Sequence, residues 1–111
     1  MKAIRVHEYG GPEVLSYEDV HDPEPGPGQA RVRLAASGVN FIDVYQRTGV
    51  YPMDLPFIAG QEGAGEVEAV GDDVEEISPG DYVAFAGVQG PYAEYLVAPV
   101  ERLLPFNVTY V

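Results

Sequence analysis

The sequence predicts a mainly β fold, a barrel or sandwich of about six or seven short strands with a short helix. Three observations predict it. Thirteen glycines and ten prolines cut the 111 residues into short pieces, as strands joined by turns require. Between those breaks the residues alternate apolar and polar, the period of a half-buried strand. The length is that of one domain, and an apolar content of 46% suits a packed core.

The elements follow in order. KAIRV, from Lys2 to Val6, alternates with Ile4 and Val6 on one face. Gly10 to Pro12 is a turn. EVLSYEDV, from Glu13 to Val20, reads as a second strand. DPEPGPGQ, from Asp22 to Gln29, is a stiff loop, because its prolines fix φ and remove backbone donors. ARVRLAASG is a strand with Val32 and Leu34 inward and Arg31 and Arg33 outward.

The period then changes. In NFIDVYQRTG, Phe41, Val44 and Tyr45 fall at i, i+3 and i+4, which predicts a short helix with these residues on its inner face. Asn40 is placed as its N-cap, Asp43 as the N3 partner and Gly49 as its stop. GAGEVEAVG returns to alternation, with Val67 and Ala69 opposed to Glu66 and Glu68. A strand and two turns follow, with Pro79-Gly80 the stronger turn signal. PYAEYLVAP and ERLLP complete the strands.

Composition excludes several chemistries. With no cysteine there are no disulfides, thiolate metal sites or thiol nucleophiles. Eighteen acidic residues against six basic, a net charge of −12, disfavour nucleic acid as a partner. No run approaches the roughly 18 apolar residues of a membrane span, and the N-terminus carries no signal-peptide pattern. A cytoplasmic location is expected. The one lysine and the acidic excess suit a halophilic source, because salt screens self-repulsion. Asn107-Val108-Thr109 matches a glycosylation sequon and, without a secretory signal, is read as chance. His7 and His21 lack partners at metal spacing and read as solvated. The acids from Asp72 to Glu76 read as a solvated turn. GQEGAGEVE lacks the glycine order of a dinucleotide loop, so Gly63 and Gly65 read as close-packing positions.

Three polar residues stand out. Asn40 is accounted for by capping, and Tyr45 by a place in the core. Gln61, between Ile58 and the strand from Gly63, has no local task. All three equally suit a site that holds a ligand by uncharged hydrogen bonds.

The segments AASGVNFIDVYQRTGVYP, LPFIAGQEGAGEVEAVGDDV, GDYVAF and GPYAEYLV resemble the N-terminal GroES-like domain of the medium-chain dehydrogenase/reductases. The branch they resemble most is the zinc-free quinone oxidoreductases related to zeta-crystallin. The likeness runs over nearly the whole chain, as far as Leu104, and implies a GroES-like partly open barrel over residues 1–111. It also implies hydride transfer from NADPH to a quinone. In zinc alcohol dehydrogenases of the same superfamily, the positions of Asn40 and Gln61 hold a cysteine and a histidine that bind catalytic zinc. Two neutral carboxamides do not replace a thiolate and an imidazole, so no metal site is expected.

The resemblance implies catalytic roles for Asn40 and Tyr45, and coenzyme contacts for Asn40, Tyr45 and Gln61. It places Tyr51 near the substrate entrance. Gln61 is expected to bond to Asn40, to ribose or to a substrate oxygen. A Rossmann domain, which would hold the coenzyme phosphates, is not among these 111 residues. The chain thus reads as a fragment, an isolated domain or a truncated product, inactive alone, from an enzyme that pairs as a homodimer. An enoyl-thioester reductase of the same superfamily fits the same residues, with a tyrosine of the helix as proton donor. A stand-alone GroES-like binding module or co-chaperonin fits the barrel, but the mobile aliphatic loop such a module needs is not found.

Overall fold

A computed structural model describes residues 1–107. The fold is mainly β, with one helix and two antiparallel sheets that do not close on one another. The strands are β1 (Lys2–Val6), β2 (Leu15–Asp19), β3 (Gln29–Ser37), β4 (Phe57–Ile58), β5 (Glu62–Val70), β6 (Tyr82–Ala86), β7 (Tyr95–Pro99) and β8 (Leu104–Phe106). Helix α1 spans Phe41–Thr48. The smaller sheet runs β2-β1-β4 and the larger runs β7-β3-β5-β6-β8.

The strand count exceeds the sequence expectation by the two-residue β4, which is too short to show a period. The second strand begins later than expected, because Pro12–Val14 forms a 3-10 turn. Pro12 has the fixed φ that a helical first residue takes. The sequon and the apolar ending beyond Asn107 lie outside the described residues. Among the described residues no helix is long and apolar enough to cross a membrane.

The core lies on the inner face of the larger sheet. Ala30 and Val32 of β3 meet Val67 of β5, Val83 and Phe85 of β6, and Leu96 and Ala98 of β7. Ile77 and Leu103 close it from the loops. Arg31 and Arg33 point outward, as their alternation requires, and pair with Glu68 and Glu66 on the neighbouring strand. Gly65 is a close-packing position. A Cβ there would lie 2.0 Å from the Arg33 carbonyl oxygen, which no side chain survives without moving β3. Gly63 is similar, with the Ala36 carbonyl oxygen at 2.7 Å from such a Cβ. The run Asp72, Asp73, Glu75, Glu76 is exposed. His7 gains a partner through the β1–β2 hairpin: its Nε2 lies 2.9 and 3.0 Å from the two carboxylate oxygens of Glu18.

Candidate functional site

The site begins with the ends of helix α1. Asn40 stands at the N-cap with extended backbone, and its N–H donates to Asp43 Oδ2 at 2.9 Å. The Asp43 N–H returns a bond to the Asn40 carbonyl at 3.0 Å. Gly49 ends the helix with φ +86°, a left-handed conformation that favours glycine. Both ends are where the sequence places them.

The two faces of the helix are reversed. Phe41, Val44 and Tyr45, expected to face the core, are 81%, 38% and 41% exposed. The inward residue is Gln46, only 7% exposed, with Asp43 and Arg47 half-buried beside it. Tyr45 is therefore not a core residue. An apolar stripe marks the face that wants cover, and in this helix that cover is not supplied by the chain's own core. The polar stripe turns inward because the domain offers a hydrogen-bond partner to each of Asp43, Gln46 and Arg47, although Asp43 Oδ1 is buried with none among the described residues.

The partner of Asp43 comes from the loop between β6 and β7. The loop runs antiparallel to residues 59–61: Val88, Gly90 and Tyr92 donate N–H bonds to the carbonyls of Gln61, Gly60 and Ala59 at 3.1, 3.2 and 3.0 Å. The Tyr92 hydroxyl donates to Asp43 Oδ2 at 2.8 Å. Burial first, and the neighbouring Asp43 carboxylate second, push the Tyr92 phenol up to about 12. Ser37 donates its hydroxyl to the Pro91 carbonyl, tying the end of β3 to the same loop. At the helix exit, Arg47 Nε donates to the Gly10 carbonyl at 3.2 Å.

Gln61 has the task that local sequence did not show. Its Nε2 donates to Gln89 Oε1, and to Gln46 Oε1 at 3.4 Å. Gln89 Nε2 in turn donates to the Ile58 carbonyl at 2.7 Å. Three carboxamides thus link helix α1, the start of β5 and the end of β4. The expected bond between Gln61 and Asn40 is not formed among the described residues. The two remain neighbours through the backbone: Gly38, two residues before Asn40, donates its N–H to the carbonyl of Glu62, next to Gln61, at 3.1 Å.

Tyr45 and Tyr51 are brought together. Their rings meet edge to face, 5.5 Å between centroids and 74° between planes, and the Tyr51 N–H donates to the Tyr45 carbonyl at 3.2 Å. Both rings are exposed, Tyr51 by 51%. The structure therefore gathers the four predicted residues around one helix: Asn40 at its start, Tyr45 and Tyr51 on its open side and at its exit, and Gln61 beneath it. Sequence reasoning missed Gln46, Gln89 and Tyr92. The signal for Gln46 was a lone amide beside an apolar stripe. For Gln89 and Tyr92 there was none, because their partners lie 28 and 49 residues away.

A separate cleft of ≈ 440 Å³ opens between the sheets, lined by Arg5, His21, Ile58, Gln89 and Tyr95 among others, and includes none of the four predicted residues. Among the described residues no group of three or more His, Cys, Asp or Glu side chains is placed to hold a metal ion.

Residues 26–108 match the family described as the alcohol dehydrogenase GroES-like domain. A quinone oxidoreductase of Pseudomonas aeruginosa is 52% identical over 105 residues, 93% of this chain and 32% of that protein. The Escherichia coli quinone oxidoreductase, solved as a complex with NADPH, superposes with a TM-score of 0.93 at 35% identity, over 96% of this chain and 33% of its own. A quinone oxidoreductase structure from Pseudomonas syringae has a TM-score of 0.93 at 46% identity, over 99% of this chain and 34% of its own. The chain spans about a third of the length of each of these relatives.

Proposed function

The chain belongs to the alcohol dehydrogenase GroES-like domain family, and from that premise we propose that it forms the substrate side of a zinc-independent, NADPH-dependent quinone oxidoreductase. The observation that carries this reading is the reversed helix. An apolar and phenolic face, Phe41, Val44, Tyr45 and Tyr51, is left open beside two uncharged carboxamides. Such a face suits a planar ring ligand covered from the other side by a second domain.

The residues present fit the nicotinamide end of the coenzyme. Asn40 and Gln61 offer neutral hydrogen-bonding groups to an uncharged carboxamide and ribose. They do not fit its phosphates, because the chain has no glycine-rich turn into a helix and carries a net charge of −12. The phosphates are assigned to a Rossmann domain outside these 111 residues. When bound, NADPH supplies the hydride. Tyr45 donates a hydrogen bond to the oxygen on which negative charge develops. Tyr51 holds the Tyr45 ring in place by its edge. Asn40 is oriented by Asp43 through its own backbone. The carboxamides at the positions of the zinc-binding cysteine and histidine make the chemistry independent of metal.

The reading extends to a cytoplasmic enzyme, pairing as a homodimer, from a halophilic source; the acidic excess supports the last of these. The test is a chimera in which this chain replaces the matched third of the Pseudomonas aeruginosa relative. It is expected to oxidise NADPH with 1,4-benzoquinone and to be indifferent to a zinc chelator. A folded chimera that reduces only enoyl thioesters, or that a chelator silences, overturns the proposal.

A further inference from the structure

We infer that Gln61 meets its ligand only as a hydrogen-bond acceptor, and that Gln89 is the positioning residue that makes it so. The inference deepens the functional reading above and rests on it for the identity of the ligand.

A carboxamide has a donor end and an acceptor end of nearly the same shape, so its partners set its direction. In the chain of glutamines that direction is fixed at one end. Gln89 lies against the Ile58 carbonyl, a group that only accepts. Its nitrogen must face that carbonyl, and its oxygen must face Gln61. The Gln61 nitrogen must then face Gln89. That nitrogen has two hydrogens, and the second is taken by Gln46 Oε1 at 3.4 Å. Gln46 is buried, and the bond leaves its oxygen toward Gln61. Both donors of Gln61 are spent inside the protein. Among the described residues nothing donates to Gln61 Oε1, which is the one group left for a ligand.

The consequence is chemical selection. A free acceptor takes a hydroxyl or an N–H: a ribose hydroxyl or the nicotinamide carboxamide. It does not take a quinone carbonyl or its reduced oxyanion, which are themselves acceptors and would meet repulsion. Gln61 thus belongs to the coenzyme, and donation to the substrate oxygen falls to Tyr45 and Asn40. The sequence expectation left ribose and substrate oxygen equally open for Gln61. The Ile58 carbonyl decides between them.

The test uses the ¹⁵N-labelled 111-residue chain and hydrogen exchange of its side-chain amides. Both Gln61 amide protons should exchange about tenfold or more slower than those of free glutamine. In Gln89→Met, which fills the same space without polar ends, one of the two should lose its protection. In Gln89→Glu, which still offers Gln61 an acceptor, both should keep it. Two Gln61 protons that exchange freely in the unmutated chain overturn the inference, as does a Gln89→Met variant that folds with both still protected. Ligand chemistry is read with two probes, reduced nicotinamide mononucleotide and 1,4-benzoquinone. Gln61→Leu should weaken the first about tenfold and leave the second unchanged. Equal weakening of the quinone overturns the acceptor role. Failure of both probes to bind overturns the functional reading, while the exchange rates still decide the direction of the carboxamide.

Discussion

The Tyr92 hydroxyl donates to Asp43 Oδ2 at 2.8 Å, and so joins the β6–β7 loop to the first turn of helix α1. The same carboxylate oxygen accepts the Asn40 N–H. One side chain therefore sets the start of the helix from two directions. The Tyr92→Phe variant removes the donor from a half-buried carboxylate, and should cost about 1–3 kcal/mol in a urea titration. A loss below a few tenths would mean that the loop is held by its backbone ladder alone.

The same contact predicts an alkaline limit. The Tyr92 phenol is raised from 10.0 to about 12 in the folded chain. The folded state thus holds a proton that the unfolded state releases, and the unfolded state binds fewer protons as pH rises. Stability from this group is complete below pH 10 and is lost between pH 10 and about 12. The decline over that window should be shallower in Tyr92→Phe. Identical declines in the two proteins would count against the contact.

Catalytic predictions are read in the chimera. The 111-residue chain alone should show no quinone-dependent oxidation of NADPH. In the chimera, Tyr45→Phe should lower kcat about a hundredfold, the scale of one donor lost from a developing oxyanion. It should leave NADPH binding within about threefold. A Tyr45→Phe chimera with unchanged kcat would return Tyr45 to a purely steric role.

Close packing makes Gly65 intolerant of the smallest addition. The Gly65→Ala methyl would meet the Arg33 carbonyl oxygen at 2.0 Å, backbone that cannot swing aside. The cost should be about 1–3 kcal/mol, the range for an overpacked core, read as a lower unfolding midpoint. Phe85→Ala, which empties a side chain that is 4% exposed, should cost about 3–5 kcal/mol.

Salt should stabilise the chain. Four of its cations are paired with carboxylates, Lys2, Arg5, Arg31 and Arg33, and most of its 18 acids have no cation to meet. Molar potassium chloride shortens the screening length to about 3 Å. The melting temperature should rise between dilute buffer and molar salt. A flat or falling curve would remove the halophilic reading.

Strand periods and the Asn40 and Gly49 helix ends were legible because each depends on residues near one another in sequence, and the close packing at Gly65 because a glycine inside an alternating strand marks a close approach even when its partner, Arg33, is distant in sequence. The family was legible from local sequence too, in four ordered segments. The direction of the helix was not. An apolar stripe is read as the buried side by default, and Phe41, Val44 and Tyr45 form a good one. What reverses it is a set of partners from afar: Tyr92 for Asp43 and, through Gln61, the amide chain for Gln46. Gln89 carries no local pattern that would mark it. Asn40, Tyr45, Tyr51 and Gln61 lie around one helix, while the bonds that orient them came only with the third dimension.

Tyr45 and Tyr51 also give the chain a built-in optical probe. It contains eight tyrosines and no tryptophan, so its ultraviolet emission arises from phenols alone, and two of them meet edge to face, 5.5 Å between centroids, at the open side of the helix. An aromatic guest arriving there would dim that glow without any label being attached.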